Sequence, residues 1–242
     1  MTSILKTNAI EPEGATTNMV VGESGQNTVI SNNDLRANVL QDAGGNAVFT
    51  SNGSGVLSGV NSGFGSAMVL LSTQTASGSA SLSFTSGIDS TYGEYIFKFY
   101  NINPATDQAT FQFNGSIDGG SNYNVTKTTT MFHAYHDEAN SATGLAYEAS
   151  YDHAQQTGDQ ILIAGIGNGA DESGVGVLHL FNPSSTTYVK HFYANINGYL
   201  HGDYTHNAIP AGYFNTTSAI DAVTFKMNSG NFDGTIKMWG VK

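Results

Sequence analysis

The sequence predicts an all-β protein whose larger part is a jelly-roll-like antiparallel β-sandwich. Between Gly93 and Lys242 one apolar run follows another, separated by Gly, Asn, Asp or Pro, and no run has the period of a helix. Tyr95, Phe97 and Phe99 alternate with other residues, and 223–228 alternates apolar with polar side chains. Successive side chains of a strand point to opposite faces, so this pattern is typical of sheets with one face in a core and one in water.

The predicted strands from residue 67 onward follow at roughly the 8 to 12 residue spacing of sandwich proteins. They are 67–73, 80–85, 93–101, 109–117, 128–136, 144–151, 160–166, 175–182, 187–197, 199–206, 219–228 and 234–241. The glycine-rich segment 165–174 lies between two of them. It is interpreted as a hairpin and not as a phosphate-binding loop, because a helix would have to follow such a loop.

The composition limits the function. The 242 residues include 13 Phe and 12 Tyr, enough for a sandwich core, and no Cys. Only 8 Lys and Arg stand against 19 acids, a net charge of -11. Nucleic acid is not an expected partner, since phosphate binding needs clustered Lys and Arg. No basic stretch leads into an apolar run and no apolar window reaches about 18 residues, so the chain is expected to be soluble, without a secretion signal or membrane contact.

Residues 1–65, here called the N-terminal arm, differ from the rest and contain a repeat. The segment from Leu5 to Gly14 aligns without gaps on the segment from Leu35 to Gly44, with leucine, a basic residue, Asn, an aliphatic residue and Gly in register. Such self-similarity marks a repeated supersecondary unit, although chance similarity within Gly- and Asn-rich sequence is the alternative. Each repeat of ~30 residues is predicted to form a hairpin-like unit: a short strand, a turn and a return strand.

Two hairpins with so few apolar residues are marginal alone, so the arm is expected to pack on another chain. Strand addition to a free sheet edge would give it main-chain hydrogen bonds. The predicted docking residues are Leu5, Ile10, Leu35, Leu40 and Phe49. The predicted domains are a docking arm with a Gly/Ser linker over 1–65 and a sandwich over 66–242.

Candidate catalytic residues are sparse. His201, Asp203 and His206 lie close in sequence, and on a strand His201 and Asp203 would share a face, as in two-His, one-carboxylate metal sites. No further ligand follows at a recognisable spacing, and the segment suits an exposed hairpin equally well. The acid doublets Asp137-Glu138 and Asp171-Glu172 cannot form a glycosidase pair within themselves, because adjacent strand residues point to opposite faces. No catalytic residue, metal or cofactor is predicted.

Tyrosines at strand ends and in loops could instead form a stacking surface for sugars. The candidates for glycan contact are Tyr123, Tyr199 and Tyr204. Aromatic residues in such positions more often belong to a core or an interface.

Several stretches resemble a known family. The segments 86–97, 103–107 and 113–123, the last with its Asp-Gly-Gly-Ser turn, resemble a β-sandwich domain of tail-fibre and other virion proteins of tailed bacteriophages. The ending 222–241 is similar to the final strands of that domain. The segments 3–6 and 40–47 are similar to N-terminal arms of marine phage structural proteins.

The resemblance implies no active site. It implies an outward domain with a short arm that docks on a capsid or tail, commonly in a symmetric homo-oligomer such as a trimer. The leading hypothesis is a non-enzymatic virion surface protein, either a capsid decoration protein or a short fibre, assembled in the bacterial host cytoplasm. The alternatives are a carbohydrate-binding module for host attachment and, third, a metal-dependent cupin-like enzyme.

Overall fold

The structure is a computed structural model that describes residues 39–41, 44, 46–51, 54, 57–58, 60 and 67–242. The chain divides into two units, Met1–Phe64 and Gly65–Lys242. Nothing in the described part of the chain forms a helix that is long and apolar enough to cross a membrane.

The first unit contains a small antiparallel sheet in the order β1-β2-β3. Its strands are β1 (Val39–Gln41), β2 (Ala47–Ser51) and β3 (Leu57–Ser58). Leu40 pairs with Phe49, so β1 and β2 form a hairpin where the sequence predicts the second repeat to do so. The first repeat lies outside the described residues.

The second unit consists of twelve strands. They are β4 (Met68–Ser79), β5 (Ser81–Phe84), β6 (Glu94–Pro104), β7 (Ala109–Ser116), β8 (Lys127–Asp137), β9 (Thr143–Tyr147), β10 (Gln160–Ile166), β11 (Gly174–Phe181), β12 (Lys190–Leu200), β13 (Tyr204–Phe214), β14 (Ala222–Met227) and β15 (Phe232–Val241). Every pairing among them is antiparallel.

The twelve strands form one continuous sheet that folds over into two layers. The larger layer has eight strands in the order β4-β15-β6-β11-β12-β13-β8-β9, and the smaller has four in the order β5-β14-β7-β10. Among these strands, a single residue pair, Ile166 with Leu200, joins the two layers through β10 and β12. The arrangement confirms the all-β, antiparallel, sandwich-like class that the sequence predicts.

The core lies between the layers and is built mainly of phenylalanine. Phe225 of β14 is fully buried at its centre. Its ring centroid lies 5.2 Å from the centroids of Phe97 and Phe99 in the larger layer and 6.1 Å from those of Phe111 and Phe113 in the smaller one. The alternation of aromatic residues along β6 thus supplies one wall of the core.

Two local predictions are wrong. The turn between β12 and β13 lies at 201–203, not at Gly198, which stands inside β12. A Cβ at Gly198 would lie 2.7 Å from the side chain of Ile163, so this glycine serves close packing between the layers and not a turn. The segment 165–174 does not form a hairpin either, because β10 pairs with β7 and β12, and β11 pairs with β6 and β12.

Candidate binding surfaces

The outward surface of the eight-stranded layer, here called the aromatic face, exposes large apolar side chains. Seven of them have exposed fractions between 40% and 74%: Leu70, Tyr100, Phe132, Leu145, Tyr147, Val175 and Tyr193. The cross-strand register also places Trp239, Ile96, His179 and Tyr193 in one row across β15, β6, β11 and β12. Exposed apolar patches of this kind mark interaction surfaces more often than scattered single residues do.

The outward surface of the four-stranded layer, here called the polar face, is built differently. Its residues are Ser83, Gln112, Asn114, Thr224 and Lys226, with Asp159 from the connection before β10. The Ser83 hydroxyl donates to Thr224 at 2.9 Å, Gln112 donates to Asp159 at 3.1 Å, and the Lys226 ammonium lies 2.8 Å from Asp159. These polar groups therefore satisfy one another within the face.

A cleft of about 410 Å³ lies where β8 and β12 end and β13 begins; it is called the tip cleft below. It is lined by His136, Asp137, Glu138, Asn197, Gly198, Tyr199, Tyr204 and Thr205. The Tyr199 hydroxyl donates to the Asp203 carboxylate at 2.9 Å, and this hydrogen bond raises the pKa of Tyr199 to about 12. The phenol stays protonated at neutral pH and is a donor, not a base.

The structure brings two of the three predicted glycan-contact residues together. Tyr199 and Tyr204 both line the tip cleft. Tyr123 lies in the connection before β8, whose first residue, Lys127, pairs with Phe214 at the far end of β13. Tyr123 is therefore at the opposite end of this strand pair from the tip cleft.

The histidine cluster noted in the sequence is divided between two places. Gly202 and Asp203 have positive φ values of 79° and 65°, so His201 and Asp203 belong to a turn and do not share a strand face. His206 faces inward, with its ring centroid 4.6 Å from that of His133. Burial, with a smaller effect of His133, lowers the pKa of His206 to about 4. Within the described ranges, no three His, Cys, Asp or Glu side chains are grouped to hold a metal ion.

In each acid doublet, Asp137-Glu138 and Asp171-Glu172, one carboxylate accepts hydrogen bonds from its own loop. The Ser141 hydroxyl and the Ala142 N–H donate to the Asp137 carboxylate, and these bonds hold its pKa below the usual range. The Glu172 carboxylate accepts the Gly169 N–H at 2.5 Å. Each carboxylate therefore stabilises the loop in which it stands.

Two buried lysines are a feature that sequence reasoning missed. Lys127 and Lys190 flank Phe214 on neighbouring strands, and all three residues are buried. The Lys127 ammonium donates to the Gly158 carbonyl at 2.5 Å, and burial lowers its pKa to about 8 although Asp159 opposes the shift. Lys190 donates to the Thr216 carbonyl at 3.0 Å, and burial lowers its pKa also. Alternation along the strands does not show which face is buried, so no local signal marked the two lysines as buried.

The structure places only part of the predicted docking set. Leu40 is 38% exposed and Phe49, its cross-strand partner, is half-buried. Leu5, Ile10 and Leu35 lie outside the described residues. The exposed residues Phe132, Leu145, Tyr147 and Tyr193 are absent from the predicted set, although 190–200 does alternate visibly between two faces.

Three comparisons with known proteins add nothing to these observations. No family model, no curated protein and no solved structure matches the chain.

Proposed function

We propose that the protein is a non-enzymatic structural protein of a tailed-phage virion. It is exposed on the particle surface as a capsid decoration protein or a short fibre, and it is anchored through residues 1–65. One observation carries the proposal. The β1–β2 hairpin exposes Val39 (43%) and Leu40 (38%), and none of the described residues between 39 and 60 whose side chains are described is buried. The described residues of this sheet thus form no buried core, so a partner surface would stabilise it.

The second unit supports an assembly role through its aromatic face. β9 pairs with β8 alone among the described strands, so it leaves a sheet edge that another strand could join. Leu145 and Tyr147, both on β9, are 74% and 55% exposed. Copies of this chain, as in a symmetric trimer, or other virion proteins are the proposed partners, since apolar contact offsets the repulsion between acidic subunits.

Deletion of residues 1–60 tests the anchoring role. We expect the shortened chain to lose particle incorporation while its far-UV circular dichroism keeps the strand signal of the sandwich. A finer pair is Leu40→Asp and Gln41→Glu, which add the same charge at two neighbouring, exposed positions of β1. Loss of incorporation is expected for the Leu40 variant alone, and normal incorporation of the deleted chain would refute the proposal.

A carbohydrate-binding role in host attachment is the second candidate, because Tyr199 and Tyr204 line one cleft. A glycan array with the full chain, repeated with Tyr204→Ala, tests it. Binding that disappears in the variant would support the tip cleft, whereas an array without signal would remove this candidate.

A further inference from the structure

The aromatic face contains a second, larger concavity. Two adjoining pockets, of about 790 Å³ and about 450 Å³, share Phe181 and His191 as lining residues. Together they are called the aromatic groove. Its lining includes five residues with aromatic rings and one alanine: Phe181, Tyr188, His191, Tyr193, Tyr213 and Ala211. It lies toward the start of β12, whereas the tip cleft lies at its end, so the two sites are separate.

The rings of this groove are held in place by stacking. The Tyr193 ring stacks on His179 with centroids 4.6 Å apart and planes 17° apart, and it stacks on Phe181 at 5.7 Å and 28°. His179 is fixed in turn by Glu94, whose carboxylate lies 2.5 Å from its Nδ1. Tyr193 nevertheless remains 44% exposed. The Tyr193 ring is therefore held in one orientation while part of it stays exposed. Its side chain would lose little conformational entropy when a ligand binds.

Small and polar side chains complete the groove. Ala211, opposite Tyr193 on β13, has a small side chain and so leaves room in the groove. The larger pocket carries hydroxyl and amide groups from Asn182, Ser184, Ser185, Thr187 and Thr217. The Ser185 hydroxyl accepts the backbone N–H of Tyr188, so the loop that presents the 74% exposed Tyr188 ring is ordered locally.

Charge is absent from the lining. Neither pocket is lined by Asp, Glu, Lys or Arg, although the chain holds 27 such residues if its 8 bases and 19 acids are taken together. A charged ligand would find no carboxylate, ammonium or guanidinium group in this lining, and a polyanion would also be repelled by the net charge of -11. The groove therefore suits an uncharged ligand with both apolar and hydroxyl-bearing surfaces.

We propose that the aromatic groove binds a neutral carbohydrate chain. The C–H faces of sugar rings carry partial positive charge and stack on the negative faces of aromatic rings, while sugar hydroxyls exchange hydrogen bonds with Ser, Thr and Asn side chains. Two pockets in a row provide room for more than one sugar unit. The proposal is independent of the anchoring role, which depends on residues 1–65, and it names a site different from the tip cleft.

Affinity electrophoresis of the full chain in gels containing dextran, mannan, laminarin or glucomannan tests this site, with alginate as the anionic comparison. We expect retardation by at least one neutral polymer and none by alginate. Tyr193→Ala and Tyr188→Ala should each weaken binding about tenfold, because each removes one stacking ring. Tyr100→Ala is the matched control, since Tyr100 is 40% exposed on the same face but lies outside the groove. It should bind like the unchanged protein.

Three results would overturn the proposal. They are no retardation by any neutral polymer, equal binding by Tyr193→Ala, or loss of binding in Tyr204→Ala alone, which would place the glycan in the tip cleft. Sedimentation of the same variants can give a fourth overturning result. If the unchanged protein forms a dimer that Tyr193→Ala dissociates, and no glycan binds, a second copy of the chain occupies the groove. Thermal unfolding of each variant checks that the fold is intact.

Discussion

The two outward surfaces of the sandwich differ although they enclose the same core. On the polar face, Ser83, Thr224, Gln112, Lys226 and Asp159 bond to one another. On the aromatic face, large rings and aliphatic side chains stay exposed without any covering element among the described residues. Strand pairing and core packing require neither arrangement, since the core is formed by the inner side chains of both layers. The polar face therefore satisfies its own side chains within one chain, whereas the aromatic face leaves apolar surface available for a partner.

The largest expected effect comes from the shared core. Phe225→Ala should lower the free energy of unfolding by about 3–5 kcal/mol, because it leaves a cavity among rings from both layers. Phe132→Ala removes the same ring from the aromatic face, where Phe132 is 40% exposed, and should cost less than about 1 kcal/mol. Urea unfolding followed by circular dichroism measures both. Equal losses would mean that the aromatic face belongs to the core.

The inner histidine should make stability depend on pH. The pKa of His206 is about 4 in the folded chain, below its ordinary value of about 6.5 when unfolded, so between these values the unfolded chain binds more protons. Stability from this group is complete above pH 6.5 and falls by up to about 3 kcal/mol as the pH drops to 4.

Unfolding free energies at pH 7.5 and 4.5 measure this dependence. His206→Phe should flatten the change between the two pH values, because it removes the buried imidazole. An unchanged pH dependence in His206→Phe would contradict the assigned burial of the imidazole.

An intermediate effect is expected from the polar face. Asn114 is 1% exposed, and its side-chain amide donates to Tyr123 O, Thr157 O and Asp159 Oδ1. Asn114→Ala should cost about 1–3 kcal/mol, because these acceptors lose their donor. Asn195→Ala makes the same chemical change on the aromatic face, where Asn195 is exposed, and should cost less than about 0.5 kcal/mol. Chemical denaturation measures the unfolding free energy of both variants. Similar losses would mean that the hydrogen bonds of Asn114 do not stabilise the fold.

The smallest effect on stability should come from β9. Leu145→Ser should change the unfolding free energy by no more than about 0.5 kcal/mol, because Leu145 is 74% exposed. It should nevertheless reduce self-association in sedimentation experiments, while Thr143→Ser, on the same strand, should not. A large loss of stability with unchanged association would show that Leu145 packs within its own chain.

The sequence predicts the strands well and their partners poorly. Every strand from β4 to β15 overlaps a predicted one, because alternation and turn residues are local signals. The overlap is smallest at β13, where only 204–206 is predicted as strand and 207–214 is missed. Pairing between β10 and β7 or between β15 and β4 depends on distant contacts that no local pattern records. The same limit explains the error at 165–174, where a glycine-rich segment between two strands joins strands that do not pair with each other.

Glycine explains the other error. Gly198 and Gly202 both interrupt the run from β12 to β13, yet only Gly202 has a positive φ and belongs to the turn. Gly198 is there because the Ile163 side chain approaches too closely for a Cβ. Composition cannot separate these two uses.

For the candidate sites, alternation along β12 indicates that Tyr193 and Phe192 lie on opposite faces, but not which face is buried. That choice is made by the four-stranded layer, which covers Phe192 through Phe113. The aromatic face was therefore hidden from sequence reasoning.

The pairing of β4 with β15 has a mechanical consequence. Met68 lies opposite Val241, and the Lys242 N–H donates to the Ala67 carbonyl at 3.2 Å, so the first and last described positions of the sandwich lie side by side. A pulling force between these two points would break the hydrogen bonds between β4 and β15 one pair at a time. β4 would therefore separate from the sheet at low force. A load applied through both points would therefore separate β4 from β15 before it reached the phenylalanine core.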